Sequence, residues 1–268
     1  MSRARRSCLV VPGSSERMLA KARTLATDEV VADLEDAVPE AEKEAARELA
    51  AAAVRSGLGR TTALRVNARG TRWWEDDLRA AAAARPDVVV LPKVESPDDV
   101  AAAAELLPAG IGLEALVETA RGLAEVERIA AAGHGLEALV FGPADFAASV
   151  GVPVLTVGAG VWDYALARIA VAARANGLQV VDGPHARLGD EAGLVAAAGR
   201  ALAYGFDGKW AIHPEQVEPL NAVFTPSEEE LERARRLLAA EGAARHGDEM
   251  VDAVSRKLAQ ALLARAGQ

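Results

Sequence analysis

The 268-residue chain is poor in aromatic residues and contains a single cysteine. Aromatic residues make up 4% of the chain although 51% of it is hydrophobic, so its core must be built from Ala, Val and Leu. With only Cys8 present, a framework of internal disulfides is excluded, and a reducing, cytoplasmic location is expected. Because Cys8 lies in an apolar run, we expect it to be a core residue.

The sequence also lacks long hydrophobic runs and an excess of positive charge. No stretch reaches the roughly 18–20 apolar residues of a membrane span, and the apolar part of "MSRARRSCLVVPG" is too short for a signal peptide. The 39 acidic and 30 basic side chains give a net charge of −9, which argues against nucleic acid as a partner. We interpret Arg3, Arg5 and Arg6 as a solvated tail, with a phosphate contact as the alternative.

Short β-rich runs alternate with helix-like segments along most of the chain. Most of the runs are continuously apolar, which is typical of strands buried on both faces of a parallel sheet. The runs are residues 8–11, 29–33, 63–67, 88–92, 112–118, 138–142, 178–182 and 208–213. This alternation predicts a (β/α)8 TIM barrel, with a doubly wound open sheet as the alternative.

The C-terminal part contains more helix than closing a barrel requires. "FTPSEEELERARRLL" carries a capping box formed by Ser227 and Glu230, and "EGAARHGDEM" then breaks the pattern before a final amphipathic helix over 251–265. We therefore divide the chain into a catalytic barrel, 1–225, and a C-terminal helical extension, 226–268. We expect the extension to pack on a neighbouring subunit.

Two carboxylates, Glu118 in "LVETARG" and Asp145 in "FGPADF", follow successive apolar runs. One βα unit separates them, so we expect them to end adjacent parallel strands, with backbones roughly 5 Å apart. Two carboxylates so close repel each other, and a divalent cation relieves that repulsion. Mg²⁺ commonly uses one or two carboxylates and takes its other oxygens from water and substrate. The alternative is two separate surface salt bridges.

Further charged residues end the second, third and fourth runs. Arg65 in "ALRVN" is placed to bind a carboxylate bidentately, or to pair with an acid such as Glu35. Strand alternation puts Asp33 and Glu35 on one side, and with Asp36 they supply candidates for a general base or for holding a metal-bound water. The alternative role is capping of the following helix.

Lys93 in "VVVLPKVES" has two interpretations. It is placed either to form a Schiff base with a carbonyl substrate or to neutralise its acidic neighbours. We expect the second, because a metal pair is available. His213, before a proline, is expected to be structural. The sequence shows no nucleophile elbow, no zinc-ligand spacing and no P-loop.

Taken together, these segments resemble the citrate lyase β-subunit family, the CoA-ester lyases of the HpcH/HpaI aldolase superfamily. The matching stretches run in the family's order and cover nearly the whole chain. They are "VPGSSERMLAKA", "VADLEDAVPEAEKEAAR", "LRVNARGT", "VVVLPKVES", "LVETARGLA", "FGPADFA", "GFDGKWAIHPEQVEPLN" and "FTPSEEELERARRLL".

The resemblance implies a (β/α)8 barrel, assembled as a homotrimer or hexamer, that binds Mg²⁺. It implies that Glu118 and Asp145 are the metal ligands. It also implies that Arg65 binds the substrate carboxylate, with Glu118 beside the substrate.

The resemblance also supplies candidates for proton transfer. Glu35 and Asp36 match the family's acidic pair near the metal. "GDEMVDA" resembles the segment whose aspartate reaches the next subunit's site, so Asp252 becomes a catalytic candidate in trans. The loop before "GDEMVDA" is shorter than in the family pattern, which affects both the acyl specificity and the delivery of Asp252.

The implied activity is Mg²⁺-dependent cleavage or formation of the C–C bond of a 3-hydroxyacyl-CoA such as citryl-, malyl- or citramalyl-CoA. The partners would be a CoA thioester and a small keto acid. Three alternatives remain: a CoA-free pyruvate aldolase, a malyl-CoA thioesterase and a non-catalytic barrel scaffold. The aldolase class relies on a His–Arg pair, and no histidine precedes His134. Glu118, Asp145 and Arg65 together argue against the scaffold.

Overall fold

The computed structural model describes residues 3–152, 162–239, 244–246 and 249–266. Its eight principal strands form one closed parallel barrel in sequence order, which confirms the predicted (β/α)8 fold. The strands are β1 (Ser7–Pro12), β2 (Glu29–Asp33), β3 (Thr61–Arg65), β4 (Val88–Leu91), β5 (Gly112–Val117), β6 (Leu136–Phe141), β7 (Gln179–Asp182) and β8 (Gly208–Ala211).

The strands coincide with the eight apolar runs, and the differences are at their ends. β3 begins at Thr61 and ends at Arg65, two residues earlier than expected, because Thr61 and Thr62 are buried in the sheet despite their hydroxyl groups. β8 ends at Ala211, before His213.

Twelve α-helices surround and follow the barrel within the described ranges. They are α1 (Glu16–Ala22), α2 (Lys43–Arg55), α3 (Trp74–Ala84), α4 (Pro97–Leu106), α5 (Ala120–Ala124), α6 (Val126–Ala130), α7 (Pro143–Ser149), α8 (Asp163–Ala175), α9 (Glu191–Ala203), α10 (Val217–Phe224), α11 (Glu228–Ala239) and α12 (Ala253–Ala266). The single helix expected over 122–132 is instead two short ones, α5 and α6, which meet at Glu125. No helix in these ranges is long and apolar enough to cross a membrane.

The core has an inner and an outer part, and both lack large aromatic clusters. Inside the barrel lie ten buried side chains: Cys8, Val10, Val31, Ala63, Val88, Val90, Leu116, Val140, Val181 and Trp210. The outer part, between strands and helices, consists mostly of Ala, Leu and Val. This confirms the expected composition of the core and the burial of Cys8.

The N-terminal end of the barrel contradicts the expectation of a solvated arginine tail. Arg5 is buried inside the barrel, where its Nε lies 2.5 Å from Glu114 Oε1 and 3.4 Å from Glu29 Oε2. Its Nη2 donates to Glu137 Oε2 at 2.9 Å, and its Nη1 donates to Gln179. We call these five residues the floor cluster. Buried carboxylates need a cation, and Arg5 is the cation that reaches them.

Arg6 also departs from the tail interpretation. Its Nε and Nη2 donate to the two oxygens of Asp28, at 2.7 and 2.8 Å. Arg3 is partly exposed and lies 3.5 Å from Glu137.

The C-terminal part packs as a helical pair with a small hairpin. The predicted capping box is confirmed, since Glu230 N–H donates to Ser227 Oγ and Ser227 N–H donates to Glu230 Oε2. α11 packs against α12. The expected break between them contains two short antiparallel strands, β9 (Ala244–His246) and β10 (Glu249–Val251). Residues 247–248 of "GDEMVDA" lie outside the described residues.

Candidate active site

An arginine–aspartate pair joins the C-terminal ends of β2 and β3. Asp33 and Arg65 are register neighbours on the two strands. Arg65 Nε and Nη2 donate to the two oxygens of Asp33, both at 2.6 Å. Burial opposes the charge on Asp33, but the Arg65 guanidinium keeps the pKa of Asp33 below its usual value. This bidentate pair fixes the orientation of the guanidinium.

The remaining edge of Arg65 contacts the other two acids of "DLED". Its Nη1 lies 3.0 Å from Glu35 Oε2 and 3.2 Å from Asp36 Oδ2. Glu35 is buried, whereas the side chain of Asp36 is half exposed. Arg65 thus pairs with the neighbouring acids, as one interpretation of the sequence expected. The principal partner, however, is Asp33 rather than Glu35.

Lys93 follows β4 and bridges several of the acids. Its Nζ donates to Glu35 Oε1 at 2.5 Å and lies 3.7 Å from Asp36 and 3.8 Å from Asp145. Burial opposes the charge on Lys93, but the hydrogen bond to Glu35 raises the pKa of Lys93. The ammonium is therefore held protonated, which supports the neutralising role over Schiff-base formation, since an amine must lose its proton to attack a carbonyl.

Glu118 follows β5 directly and is buried with little compensation. Its Oε1 accepts a hydrogen bond from the backbone N–H of Lys93 at 2.8 Å. Among the described residues no hydrogen bond reaches Oε2 and no cation forms an ion pair with the group. Burial raises the pKa of Glu118 to about 8, and nearby Glu35 adds to the shift. A carboxylate in this state gains much from a cation brought to it.

Asp145 lies in the first turn of α7, beyond β6, rather than at the strand end that the sequence indicated. The packing of Phe146 positions it: this ring lies 5.5 Å from Phe141 of β6 and 5.6 Å from Trp162, edge to face in both cases. β5 and β6 are neighbours in the barrel, and the negative charge of Asp145 is among the causes that raise the pKa of Glu118.

A cavity of about 380 Å³ at the C-terminal end of the barrel is lined by Asp33, Asp36, Arg65, Glu118 and Asp145. Glu35 and Lys93 do not line it but contact residues that do, Arg65 and Asp145 respectively. We call Asp33, Glu35, Asp36, Arg65, Lys93, Glu118 and Asp145 the mouth cluster. Apolar side chains and Trp210 complete the lining, and the Arg65 guanidinium lies 5.5 Å from the Trp210 ring centroid. A small charged substrate would find fixed polar groups in apolar walls, the usual composition of a ligand site.

The residues present fit a hard divalent cation that is completed by substrate. The mouth cluster contains five carboxylates and two cations, Arg65 and Lys93, so negative charge is in excess within it. Within the described residues no group of three or more His, Cys, Asp or Glu side chains forms a ready-made metal site. Glu118 and Asp145 alone would leave most positions open, as Mg²⁺ sites that bind substrate commonly do.

Asp252 does not join the mouth cluster within this chain. It caps α12, where its Oδ1 accepts from the N–H groups of Val254 and Ser255 at 2.9 and 2.8 Å. These hydrogen bonds hold the pKa of Asp252 below its usual value. The other five predicted site residues come together as described, and His213 caps the turn that begins at Pro214, as the structural interpretation expected.

Sequence reasoning missed three features of the site. It grouped Asp33 with its neighbours without assigning it to Arg65, although their positions at the ends of successive strands were the available signal. It did not single out Trp210, which lies one strand position before the end of β8. It also gave no weight to Gly142, where an added Cβ would lie 2.4 Å from Glu118 Oε2.

Comparison with protein families agrees with this geometry. The family model described as HpcH/HpaI aldolase/citrate lyase matches residues 6–214. A (3S)-malyl-CoA thioesterase of Cereibacter sphaeroides is 43% identical over 249 residues, which cover 90% of this chain and 85% of that protein. An L-malyl-CoA/beta-methylmalyl-CoA lyase of the same species is 35% identical over 304 aligned positions, which cover 99% of this chain and 95% of the relative.

The chain is also similar in fold to solved structures of citrate lyase proteins. CitE from Mycobacterium tuberculosis, in complex with magnesium, acetoacetate and coenzyme A, superposes with a TM-score of 0.82 at 35% identity, covering 98% of each chain. A citrate lyase from Burkholderia xenovorans has a TM-score of 0.85 at 26% identity and covers 97% of this chain and 91% of its own.

Proposed function

Because the chain belongs to the HpcH/HpaI aldolase/citrate lyase family, as its sequence motifs indicated, we propose that it is a Mg²⁺-dependent CoA-ester lyase. Its substrate would be a 3-hydroxyacyl-CoA of the malyl, citramalyl or citryl type. The reaction breaks or forms a C–C bond between an acyl-CoA and a keto acid. One observation carries this proposal: a buried Glu118, short of positive charge, faces a cavity that also holds Arg65 and Asp145.

Glu118 and Asp145 are the residues that would hold the ion. When bound, Mg²⁺ supplies positive charge beside the substrate oxygen on which negative charge develops. The protein keeps the two carboxylates ready for this task by different means. The backbone of Lys93 fixes Glu118, and the packing of Phe146 fixes the first turn of α7.

Arg65 would bind and orient the substrate carboxylate. Asp33 occupies its Nε and Nη2, so a ligand would approach Nη1, which also lies 3.0 Å from Glu35 Oε2. Asp36, half exposed and 3.2 Å from Nη1, is the contact that an incoming carboxylate would replace. A guanidinium held by Asp33 on one side and by the Trp210 ring nearby loses little further freedom on binding.

Carboxylates at the mouth would move the protons. In the cleavage direction a mouth carboxylate would accept the hydroxyl proton, and the electrons of the O–H bond would form the carbonyl of the keto acid. The electrons of the broken C–C bond would pass to the α-carbon of the thioester, and a protonated carboxyl group would give a proton to that carbon. Asp36, released from Arg65 by the substrate, is one candidate for this acid, and Glu35 lies beside it. Asp252 of a neighbouring subunit is the other.

The test is product analysis with purified protein and a panel of malyl-, citramalyl- and citryl-CoA, with Mg²⁺ or with EDTA. We expect metal-dependent release of an acyl-CoA and a keto acid. Turnover of free hydroxy-keto acids alone would instead identify a CoA-free aldolase. Absence of both turnover and Mg²⁺ binding would identify a scaffold.

Thioester hydrolysis is the second candidate, and one observation favours it. The malyl-CoA thioesterase is 43% identical to this chain, against 35% for the malyl-CoA lyase. The same site would serve, with water admitted to the thioester carbonyl. The same assay separates the two, because a thioesterase releases free CoA together with malate and forms no keto acid.

We also propose how the chain is organised and assembled. Residues 1–225 would form the catalytic barrel, and residues 226–268 a helical extension on a neighbouring subunit of a cytoplasmic homotrimer or hexamer. The position of Asp252 at the start of α12 supports this, since the extension carries a carboxylate that makes no described contact with its own mouth cluster. Light scattering after size-exclusion chromatography would give the mass, and a monomer would contradict the proposal.

A further inference from the structure

Lys93 has a backbone conformation that side-chain-bearing residues rarely adopt. Its φ is +50°, in the left-handed region, and it is one of three non-glycine residues with positive φ in the described ranges. The other two are at positions 85 and 134, away from the mouth cluster. An unusual backbone conformation at a candidate site persists only where the surrounding structure enforces it.

The conformation aims the Lys93 amide at a single acceptor. Its N–H donates to Glu118 Oε1 at 2.8 Å. The next residue, Val94, is buried, and its N–H donates to Leu116 O at 3.2 Å, which fixes the turn to β5 just before Glu118. The Val94 carbonyl in turn lies so close to Gly122 that a Cβ there would be 2.5 Å away. The turn is therefore fixed immediately after Lys93 by contacts of Val94.

Gly142 limits Glu118 from the opposite direction. A Cβ added at Gly142 would lie 2.4 Å from Glu118 Oε2 and 2.5 Å from its Cβ, so the glutamate packs directly on the glycine backbone. The Glu118 side chain is thus held between the amide of Lys93 and the backbone of Gly142. Only Oε1 receives a hydrogen bond from the described residues, which leaves Oε2 as the oxygen for a ligand.

We propose that Lys93 is a positioning residue that acts through its main chain, by using its left-handed turn to hold Glu118 Oε1 and present Oε2 to the divalent cation. The inference rests on the proposed function, because it takes Glu118 as a metal ligand. Lys93 would then have two roles: its ammonium, 2.5 Å from Glu35 Oε1, neutralises Glu35, and its backbone N–H orients Glu118.

Two substitutions separate these tasks. Lys93→Gly and Lys93→Val both remove the ammonium, so a difference between them reports on the backbone. Glycine adopts positive φ readily, whereas a β-branched residue there is a genuine outlier. We expect Lys93→Gly to bind Mg²⁺ at least as tightly as the wild type, and Lys93→Val to bind it about tenfold more weakly than Lys93→Gly.

The measurement is calorimetric titration of the full chain with Mg²⁺ alone, together with the melting temperature without metal. If Lys93→Val does not fold, a milder comparison between Lys93→Asn and Lys93→Ala replaces the comparison between Lys93→Gly and Lys93→Val. Asparagine tolerates the left-handed region better than alanine, so Lys93→Asn should bind Mg²⁺ more tightly. Equal Mg²⁺ affinity within either pair overturns the inference.

Failure of the metal site itself would look different. If the wild type does not bind Mg²⁺, or if Glu118→Gln binds it as well as the wild type, the proposed function loses its metal ligand. If the wild type binds, Glu118→Gln does not, and the two backbone variants agree, only the role of the Lys93 main chain is wrong.

Discussion

Both ends of this barrel bury an arginine among carboxylates, but we interpret the two clusters as having different roles. At the floor, Arg5 meets Glu29 and Glu114 inside the barrel. At the mouth, Arg65 meets Asp33 and Glu35. In each case the carboxylates outnumber the cations in contact with them. In TIM barrels the C-terminal face carries the chemistry and the N-terminal face carries stability.

The floor and mouth clusters differ in what can neutralise their excess negative charge. Glu29 and Glu114 of the floor cluster are fully buried, and both oxygens of Glu29 and one of Glu114 have no hydrogen-bond partner among the described residues. Burial and the neighbouring Glu114 raise the pKa of Glu29 well above its usual value, so a proton neutralises it. The mouth opens into a cavity, where a ligand can do so.

Replacing Glu118 should produce the largest effect and act on the mouth alone. Glu118→Gln keeps the shape but removes the charge, so we expect Mg²⁺ binding to be lost and turnover to fall about 10³-fold or more. Stability without metal should not fall, because glutamine keeps an acceptor for the Lys93 N–H and replaces a carboxyl group that is costly to ionise there. Calorimetry measures Mg²⁺ binding, the product assay measures turnover, and denaturant titration measures stability. Glu48→Gln is the control, because Glu48 is exposed. Retained Mg²⁺ binding would contradict the comparison.

Arg5→Met should have the next largest effect and act on the floor alone. The Glu114 carboxylate would remain buried without its cation, which costs about 3–5 kcal/mol of unfolding free energy. Activity per folded molecule should stay unchanged, because Arg5 contacts nothing in the mouth cluster. Arg3→Met is the matched control: Arg3 is partly exposed and 3.5 Å from Glu137, so we expect a loss of about 1 kcal/mol or less. If Arg5→Met and Arg3→Met lose equal unfolding free energy in urea titrations, the floor cluster does not stabilise the fold as proposed.

Lys93→Ala should have a smaller effect at the mouth. The ammonium beside Glu35 is lost, and alanine keeps the backbone N–H that donates to Glu118 but tolerates the left-handed turn less well than asparagine. We therefore expect measurable turnover, reduced about tenfold to a hundredfold. Borohydride reduction of the wild-type protein in the presence of a keto acid, followed by mass spectrometry, tests whether Lys93 forms a Schiff base. An adduct trapped on Lys93 would show that the residue is a nucleophile.

The two clusters also show how far the sequence could be interpreted. The eight strands, and the placement of Arg65 and Glu118 at strand ends, followed from continuous apolar runs that end in a charged residue. Arg5 could not be placed in this way, because its partner Glu114 is 109 residues away and lies within a strand whose inward face the sequence does not mark. The left-handed turn at Lys93 was equally hidden, since only its contact with Glu118 explains it.

The last predicted effect concerns the proton at the floor. Glu29 titrates near 4.5 in the unfolded chain but keeps its proton to higher pH when folded. The folded state then binds more protons above pH 4.5, so unfolding free energy should fall as pH rises from there, by up to about 1.4 kcal/mol per pH unit for this group. Glu29→Gln removes the titration and should flatten that slope, as measured by urea titrations between pH 5 and 8.

The contribution of Glu118 to the same slope can be separated from that of Glu29. Its folded pKa of about 8 also makes stability fall as pH rises from 4.5 to about 8, but saturating Mg²⁺ should suppress this part by favouring the ionised carboxylate. The part from Glu29 should persist in Mg²⁺, because the floor cluster lies at the other end of the barrel. A Glu29→Gln variant whose slope in Mg²⁺ equals that of the wild type would show that no proton is held at the floor, and the contrast between a proton at one end and a ligand at the other would fail.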